Sequence, residues 1–341
     1  MRHIIVFFAL GFALLLGLSS LGRLLDDRPE LADMRAGLAR VEGREAVSLG
    51  GSVARAVDFS ALCLDGTEYF WNSQDTFEVA GMVDLMLARP SPPRLWFLVL
   101  APTAQAYNNG AAASRSVEHR RNVHQLMLES GRLNPIDGDW RQAVVTAVTP
   151  ALGFEAWSER IRVALYRLGL GKAPVRPVPW TLGPDTGLDP AQAAVDAVTS
   201  AESQADYLHS IAYRDAEVAA RAGRALHRMN QRIRSQGGTL FIIVPPMTEP
   251  IRSQTNRRLG PEVAAFDRLL DGLAGEGVVV SRHWDDPDWA DRFDLFYDNT
   301  HLNRAGAARF SRQLAAELRA TGAIPVTECP AEPAAAGKGS R

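Results

Sequence analysis

Short apolar runs separated by stretches of helical period are the dominant pattern of this chain. Residues 45–50 (Glu-Ala-Val-Ser-Leu-Gly), 66–71 (Gly-Thr-Glu-Tyr-Phe-Trp), 95–100 (Leu-Trp-Phe-Leu-Val-Leu), 239–244 (Thr-Leu-Phe-Ile-Ile-Val) and 277–281 (Gly-Val-Val-Val-Ser) each have the length of a strand. The run at 95–100 is apolar throughout, as a central strand of a parallel sheet must be when both its faces are buried. Between the runs, 77–88, 213–237, 261–273 and 305–321 repeat their apolar residues with helical spacing. In 213–237, Val218, Ala222, Leu226, Met229 and Ile233 form one face, and Arg221, Arg224, Arg228 and Arg232 form a solvated row on the other. Strands alternating with helices predict an α/β fold on a doubly wound parallel sheet of about five strands.

Two regions break that pattern. Between 101 and 208 it loosens, interrupted at Pro150, Pro174, Pro177, Pro179, Pro184 and Pro190. This is too long for one loop, so a helical insertion is expected at about 111–210, including an amphipathic helix over 154–170. At the start, Met1-Arg2-His3 precedes an uncharged run, 4–21, that Arg23, Asp26 and Asp27 end abruptly. The run is long enough to span a bilayer and predicts an N-terminal transmembrane helix within 1–22. It is either a cleaved signal or a retained anchor. The lack of a clear Ala-x-Ala site favours the anchor, with the body of the protein exported. The expected organisation is then a stalk over 23–44, the α/β domain over 45–323, and a disordered tail over 324–341.

Composition narrows the function classes. The chain has 341 residues, 46% hydrophobic and 22% charged, with a formal charge of −2. That is enough for a full core, and nothing in the balance points to nucleic-acid binding. Two cysteines, Cys63 and Cys329, are too few for a disulfide framework. One bridge in an exported protein stays open, but a buried free cysteine and an idle tail cysteine are the favoured reading.

The chemistry gathers where strands end. After the first strand, Gly50-Gly51-Ser52 reads as a tight turn into a helix beginning at the serine. Free N–H groups and the helix dipole would gather there, suiting a nucleophile whose own N–H helps hold an oxyanion. A serine N-cap accounts for the same residues. Nucleotide binding lacks its support, since neither G-x-G-x-x-G nor G-x-x-x-x-G-K-[ST] occurs at this turn. Far downstream, Asp298-Asn299-Thr300-His301-Leu302 stands just before the last helix, where it reads either as a base with its orienting carboxylate or as a capping cluster. His283, Asp285 and Asp286 read as a polar loop, and no metal or cofactor site is expected.

Gly-Gly-Ser at the first strand, paired with Asp-x-x-His before the last helix, resembles the SGNH (GDSL-like) hydrolase family over about 45–321. The resemblance implies Ser52 as nucleophile, His301 as its base and Asp298 as the residue orienting the imidazole. It implies oxyanion donors at the N–H of Ser52, after strand two at Ser73 where the family has a glycine, and at an asparagine after strand three. For the last, Asn108 takes precedence over Asn109, in a loop without the family's Gly-x-Asn-Asp spelling. All these residues follow strands, at the edge where open α/β sheets bind ligands. The short anchor, the Gly-Gly-Ser turn and the ending also resemble the membrane-anchored DltD-like and polysaccharide O-acetylation relatives. That implies an exported serine esterase or O-acyltransferase acting on acyl, above all acetyl, esters of an envelope or extracellular polysaccharide beside a membrane-bound O-acyltransferase. The alternative is a catalytically degenerate fold that binds glycan or scaffolds such a complex.

Overall fold

The computed structural model of the chain describes residues 29–110, 117–132, 187–209 and 217–324, with scattered positions in 1–28 and 133–186. Strands β1 (Ala46–Gly50), β2 (Gly66–Phe70), β3 (Leu95–Val99), β4 (Thr239–Val244) and β5 (Val279–Arg282) form one parallel sheet in the order β2-β1-β3-β4-β5. Each lies on one of the apolar runs. The order reverses between β1 and β3, which opens a crevice beyond their carboxyl ends.

The helices in chain order are α1 (Pro29–Val41), α2 (Phe59–Leu62), α3 (Thr76–Leu87), α4 (Val117–Glu129), α5 (Pro190–His209), α6 (Val218–Ser235), α7 (Glu249–Ala274) and α8 (Arg304–Ala320). Successive strand side chains point to opposite faces, so the sheet carries two cores. Trp96, Leu98, Leu240 and Ile242 pack with α1, α3, α4, α6 and α7. Phe97, Val99, Phe241 and Ile243 pack with α2 and α8. In the second core the Phe97 ring stacks on Phe241 at 4.7 Å and meets Phe59 edge-on at 5.7 Å. Burying each such ring is worth about 1.5–3 kcal/mol, so α2 and α8 are held firmly against the sheet.

Several elements differ from expectation, each for a physical reason. Part of the expected stalk is α1, whose Leu31, Met34, Leu38 and Val41 are buried in the first core. The helix expected over 261–273 begins twelve residues earlier, as α7, and kinks at Leu259 (φ −128°, ψ 26°), two residues before Pro261. Proline removes a hydrogen bond and crowds the preceding turn. Its first half reads as polar because its apolar stripe, Ile251 and Leu259, is narrow and faces α5 rather than the sheet. There α5 presents Ala197, Ala201 and Ala205, one small residue per turn, which lets the two helices approach closely.

Among the described residues no helix is long and apolar enough to cross a membrane. Most of the run at 4–21 and of the segment 154–170 lies outside the described residues, and 325–341 lies entirely outside them. Cys63, which ends α2 in a left-handed conformation, is in a disulfide; the other cysteine, Cys329, lies outside the described residues.

Candidate active site

The turn after β1 is shaped by Gly50. Its φ is +135°, and a Cβ there would stand 2.2 Å from the Val99 carbonyl oxygen of β3. Only glycine lets β1 end so close to its neighbour. The chain then leaves the sheet edge as a 3-10 helix, Ser52–Ala56, rather than the expected α-helix. Extended Val57 and Asp58 stop it, and the Asp58 carboxylate starts α2 afresh by accepting from the Ser60 and Ala61 N–H groups. Gly51 occupies the N-cap position of this 3-10 helix with no side-chain cap bond. Ser52 does not cap it: its Oγ lies 2.6 Å from His301 Nε2, across 249 residues of chain.

His301 stands in the loop between β5 and α8. Asp298 Oδ1 accepts from the backbone N–H of Thr300 and of His301, each at 2.9 Å, and from the Thr300 hydroxyl at 3.0 Å. The same carboxylate receives the imidazole, with Nδ1 at 2.8 Å from Oδ2 and 2.9 Å from Oδ1. Loop capping and ring orientation are thus one arrangement, while Asn303 caps α8, its Oδ1 accepting from Gly306 N at 2.9 Å. Burial pushes the Asp298 carboxyl up, but the bond and charge of His301 and the two N–H groups outweigh it and leave the carboxyl below its ordinary range. An ionised carboxylate can only accept, so Nδ1 carries the proton and donates to it. The Nε2 lone pair then faces the Ser52 hydroxyl, which donates.

Two buried polar side chains fix this geometry. Asn299 accepts from the Thr248 hydroxyl at 2.6 Å and donates to the Ala193 carbonyl at 2.8 Å, tying the histidine loop to α7 and α5. Ser311, on α8, accepts from Asp58 N at 2.7 Å and donates to the Ala56 carbonyl at 3.2 Å, tying the serine turn to the same helix.

Ser52 and His301 open into a cleft of about 600 Å³, within the usual size of small-ligand sites. Ser73 and Asn109 line it from the sheet edge, and Thr199, Ser203 and Tyr207 line it from α5. Ser73 holds φ +59°, a left-handed conformation that L side chains seldom adopt, at the position where the resemblance has glycine. A Cβ on Gly51 would lie 3.9 Å from both Ser73 N and Gln74 N, so that turn's backbone borders the serine turn.

The structure therefore brings Ser52, His301, Asp298 and Ser73 together. It does not bring Asn108: its Oδ1 accepts from Gly110 N at 2.9 Å and from Arg120 Nη2 at 3.3 Å. The asparagine in the cleft is Asn109, whose Nδ2 donates to the Ser73 carbonyl at 2.8 Å and to Glu78 Oε2 at 2.9 Å. The loop's direction is set by Asp75, which accepts from Asn109 N at 2.5 Å.

Sequence reasoning also missed Asp75, Glu78, Arg120 and the α5 wall. The spacing Asp75-x-x-Glu78 before an apolar helix is a legible capping box, and the structure forms it. Arg120 and the α5 residues carry no such signal. His283 belongs to a structural tie between β5 and α8: its Nε2 is 2.7 Å from Ser281 Oγ and 3.0 Å from Glu317 Oε2. The bond to His283 comes first among the causes that hold the Glu317 carboxyl below its ordinary value. Among the described residues, no group of three or more His, Cys, Asp or Glu is placed to hold a metal ion.

Fold and site together define an α/β protein whose parallel sheet carries a serine–histidine–aspartate chain at its carboxyl edge. No protein-family model matches the chain, and no curated protein matches it either.

Proposed function

We propose that this protein is a serine esterase or O-acyltransferase of the SGNH kind, acting on acyl esters of a glycan through Ser52. The observation that carries the reading is the continuous chain from Ser52 Oγ to His301 Nε2 at 2.6 Å and from His301 Nδ1 to Asp298 at 2.8 Å. Ser52 Oγ attacks the ester carbonyl and its proton passes to Nε2, forming an imidazolium that Asp298 stabilises. The bond to the leaving alcohol breaks, and that alcohol takes the proton from Nε2. Water or a sugar hydroxyl then attacks the acyl-serine by the same steps in reverse. The negative oxygen formed at each attack falls beside the Ser52 turn and the Ser73 turn, where the N–H groups of Ser52 and Ser73 are the donors at hand, that of Gln74 being given to the Trp71 carbonyl at 3.2 Å. The wall of threonine, serine and tyrosine on α5 suits a hydroxyl-rich acceptor. The apolar run at 4–21 suits an anchored, exported enzyme working beside a membrane acyl donor.

A fluorophosphonate probe tests this. Oγ displaces fluoride from phosphorus, and the proton goes to His301. Wild type is expected to label once, at Ser52, and Ser52→Ala not at all. His301→Ala is expected to lose at least about 100-fold in labelling rate. One observation favours a second reading, a non-catalytic glycan-binding scaffold. Both amide protons of Asn109 are already engaged, on Ser73 and Glu78. A folded wild type that does not label would support that reading.

A further inference from the structure

Behind the cleft lies a cluster of charge with no access to water. The side chains of Asp75 and Glu78 are 0% exposed and that of Arg120 is 1% exposed. Removing three ionisable groups from water is costly, and a capping box at a helix start requires neither an arginine nor burial. The partners show what the cluster reaches. Asp75 Oδ1 accepts from Glu78 N at 2.8 Å, completing the box. Asp75 Oδ2 accepts from Arg120 Nη2 at 2.6 Å and from Asn109 N at 2.5 Å. Glu78 Oε2 accepts from Asp75 N at 3.0 Å and from Asn109 Nδ2 at 2.9 Å, while its Oε1 lies 3.6 Å from Arg120 Nε. The same Asn109 nitrogen donates to the carbonyl of Ser73, the residue held in the left-handed conformation. The cluster therefore ends on the two sheet-edge residues, Ser73 and Asn109, that stand in the cleft beside Ser52.

We propose that Asp75, Glu78 and Arg120 are positioning residues for the oxyanion wall, holding Asn109 and the Ser73 turn in place while adding no net negative charge behind them. This rests on the Ser52 reading above. The charge condition has a physical reason: in a site of low dielectric, an uncompensated carboxylate behind the wall would oppose the oxyanion as it forms. Arg120 compensates Asp75. Burial, and after it the charge of Asp75, pushes the Glu78 carboxyl well above its ordinary range against the pull of Arg120, which favours the neutral acid. The charged groups facing Glu78 are Asp75 on its own helix and Arg120 from α4. On α6, Arg221 lies over the Phe77 ring at 5.9 Å.

The test is the second-order rate of fluorophosphonate labelling of the full chain, measured against pH with the folded fraction followed by circular dichroism. Wild type is expected to slow on the alkaline side as Glu78 ionises. Glu78→Gln keeps the shape and an amide in the acid's place, and is expected to stay within about ten-fold of wild type at neutral pH and to lack that alkaline decline. Arg120→Gln, which leaves Asp75 uncompensated, is expected to lose ten-fold or more in rate in the molecules that remain folded. Glu78→Gln is the arm that stands if Arg120→Gln does not fold. A labelled wild type whose pH profile Glu78→Gln reproduces unchanged overturns the positioning role and leaves Ser52 as nucleophile. A folded wild type that fails to label overturns both.

Discussion

Ser311→Ala isolates the joint between the Ser52 turn and α8, the helix that follows His301. The side chain is 0% exposed, and its hydroxyl accepts from Asp58 N at 2.7 Å and donates to the Ala56 carbonyl at 3.2 Å. Alanine removes one atom and leaves two backbone groups without their partner. An unsatisfied buried donor or acceptor costs about 1–3 kcal/mol. Ala56 is 4% exposed and pays that cost in full, whereas half-buried Asp58 recovers part of it from water. The expected loss is therefore roughly 2–4 kcal/mol. At about 2–4 °C per kcal/mol for a large domain, thermal unfolding should fall by at least about 4 °C. The serine turn also loses its tie to α8, so the labelling rate at Ser52 should drop several-fold in protein that is still fully folded. Thermal unfolding followed by circular dichroism and timed fluorophosphonate labelling read the two effects separately. A shift under about 1 °C with an unchanged labelling rate would refute the argument, because it would mean that water replaces the hydroxyl and something else holds the turn.

Other expectations follow from single groups. A Cβ on Gly306 would stand 2.1 Å from the Leu295 carbonyl oxygen, so Gly306→Ala must push the 3-10 turn Phe293–Leu295 and α8 apart on either side of the histidine loop. It should cost more than ten-fold in labelling rate and lower the melting temperature, and wild-type values for both would count against the close approach. Glu317 titrates below its ordinary value of 4.5, chiefly through its bond to His283, so its contribution to stability is present above that value and is lost as the pH falls through the lower folded one. Glu317→Gln should therefore flatten the decline of melting temperature below about pH 4.5, and an acid limb identical to wild type would show that this tie contributes nothing. Asp298 also titrates below its ordinary value, so Asp298→Asn should slow labelling and remove part of the acid-side stability loss, while equal rates would separate the carboxylate from the chemistry.

What was legible in the sequence depended on whether a local pattern matched the surroundings that act on it. The strands were readable because burial on both faces turns them into apolar runs, as at Trp96-Phe97-Leu98. Ser52 and the Asp298–His301 pair were readable because their spacing is local even though their meeting is not. The choice between Asn108 and Asn109 was not, since it turns on which way one loop is pulled. Asp75, 34 residues earlier, does the pulling. The first half of α7 was hidden because Ile251 and Leu259 face the alanines of another helix, and a stripe that narrow does not stand out in a polar segment.

Ser52, the proposed nucleophile, follows the first strand of the sheet, and His301, its proposed base, precedes α8, 249 residues further on. On that proposal, Ser52 gains its reactivity only once the two segments have folded together. A ribosome that stalls, or a protease that trims the protein before His301, leaves behind a serine with the temper of any ordinary alcohol. On the same proposal, folding intermediates in which the two segments have not met are mute toward esters, and the segment around His301, made after Ser52, is the one that arms it.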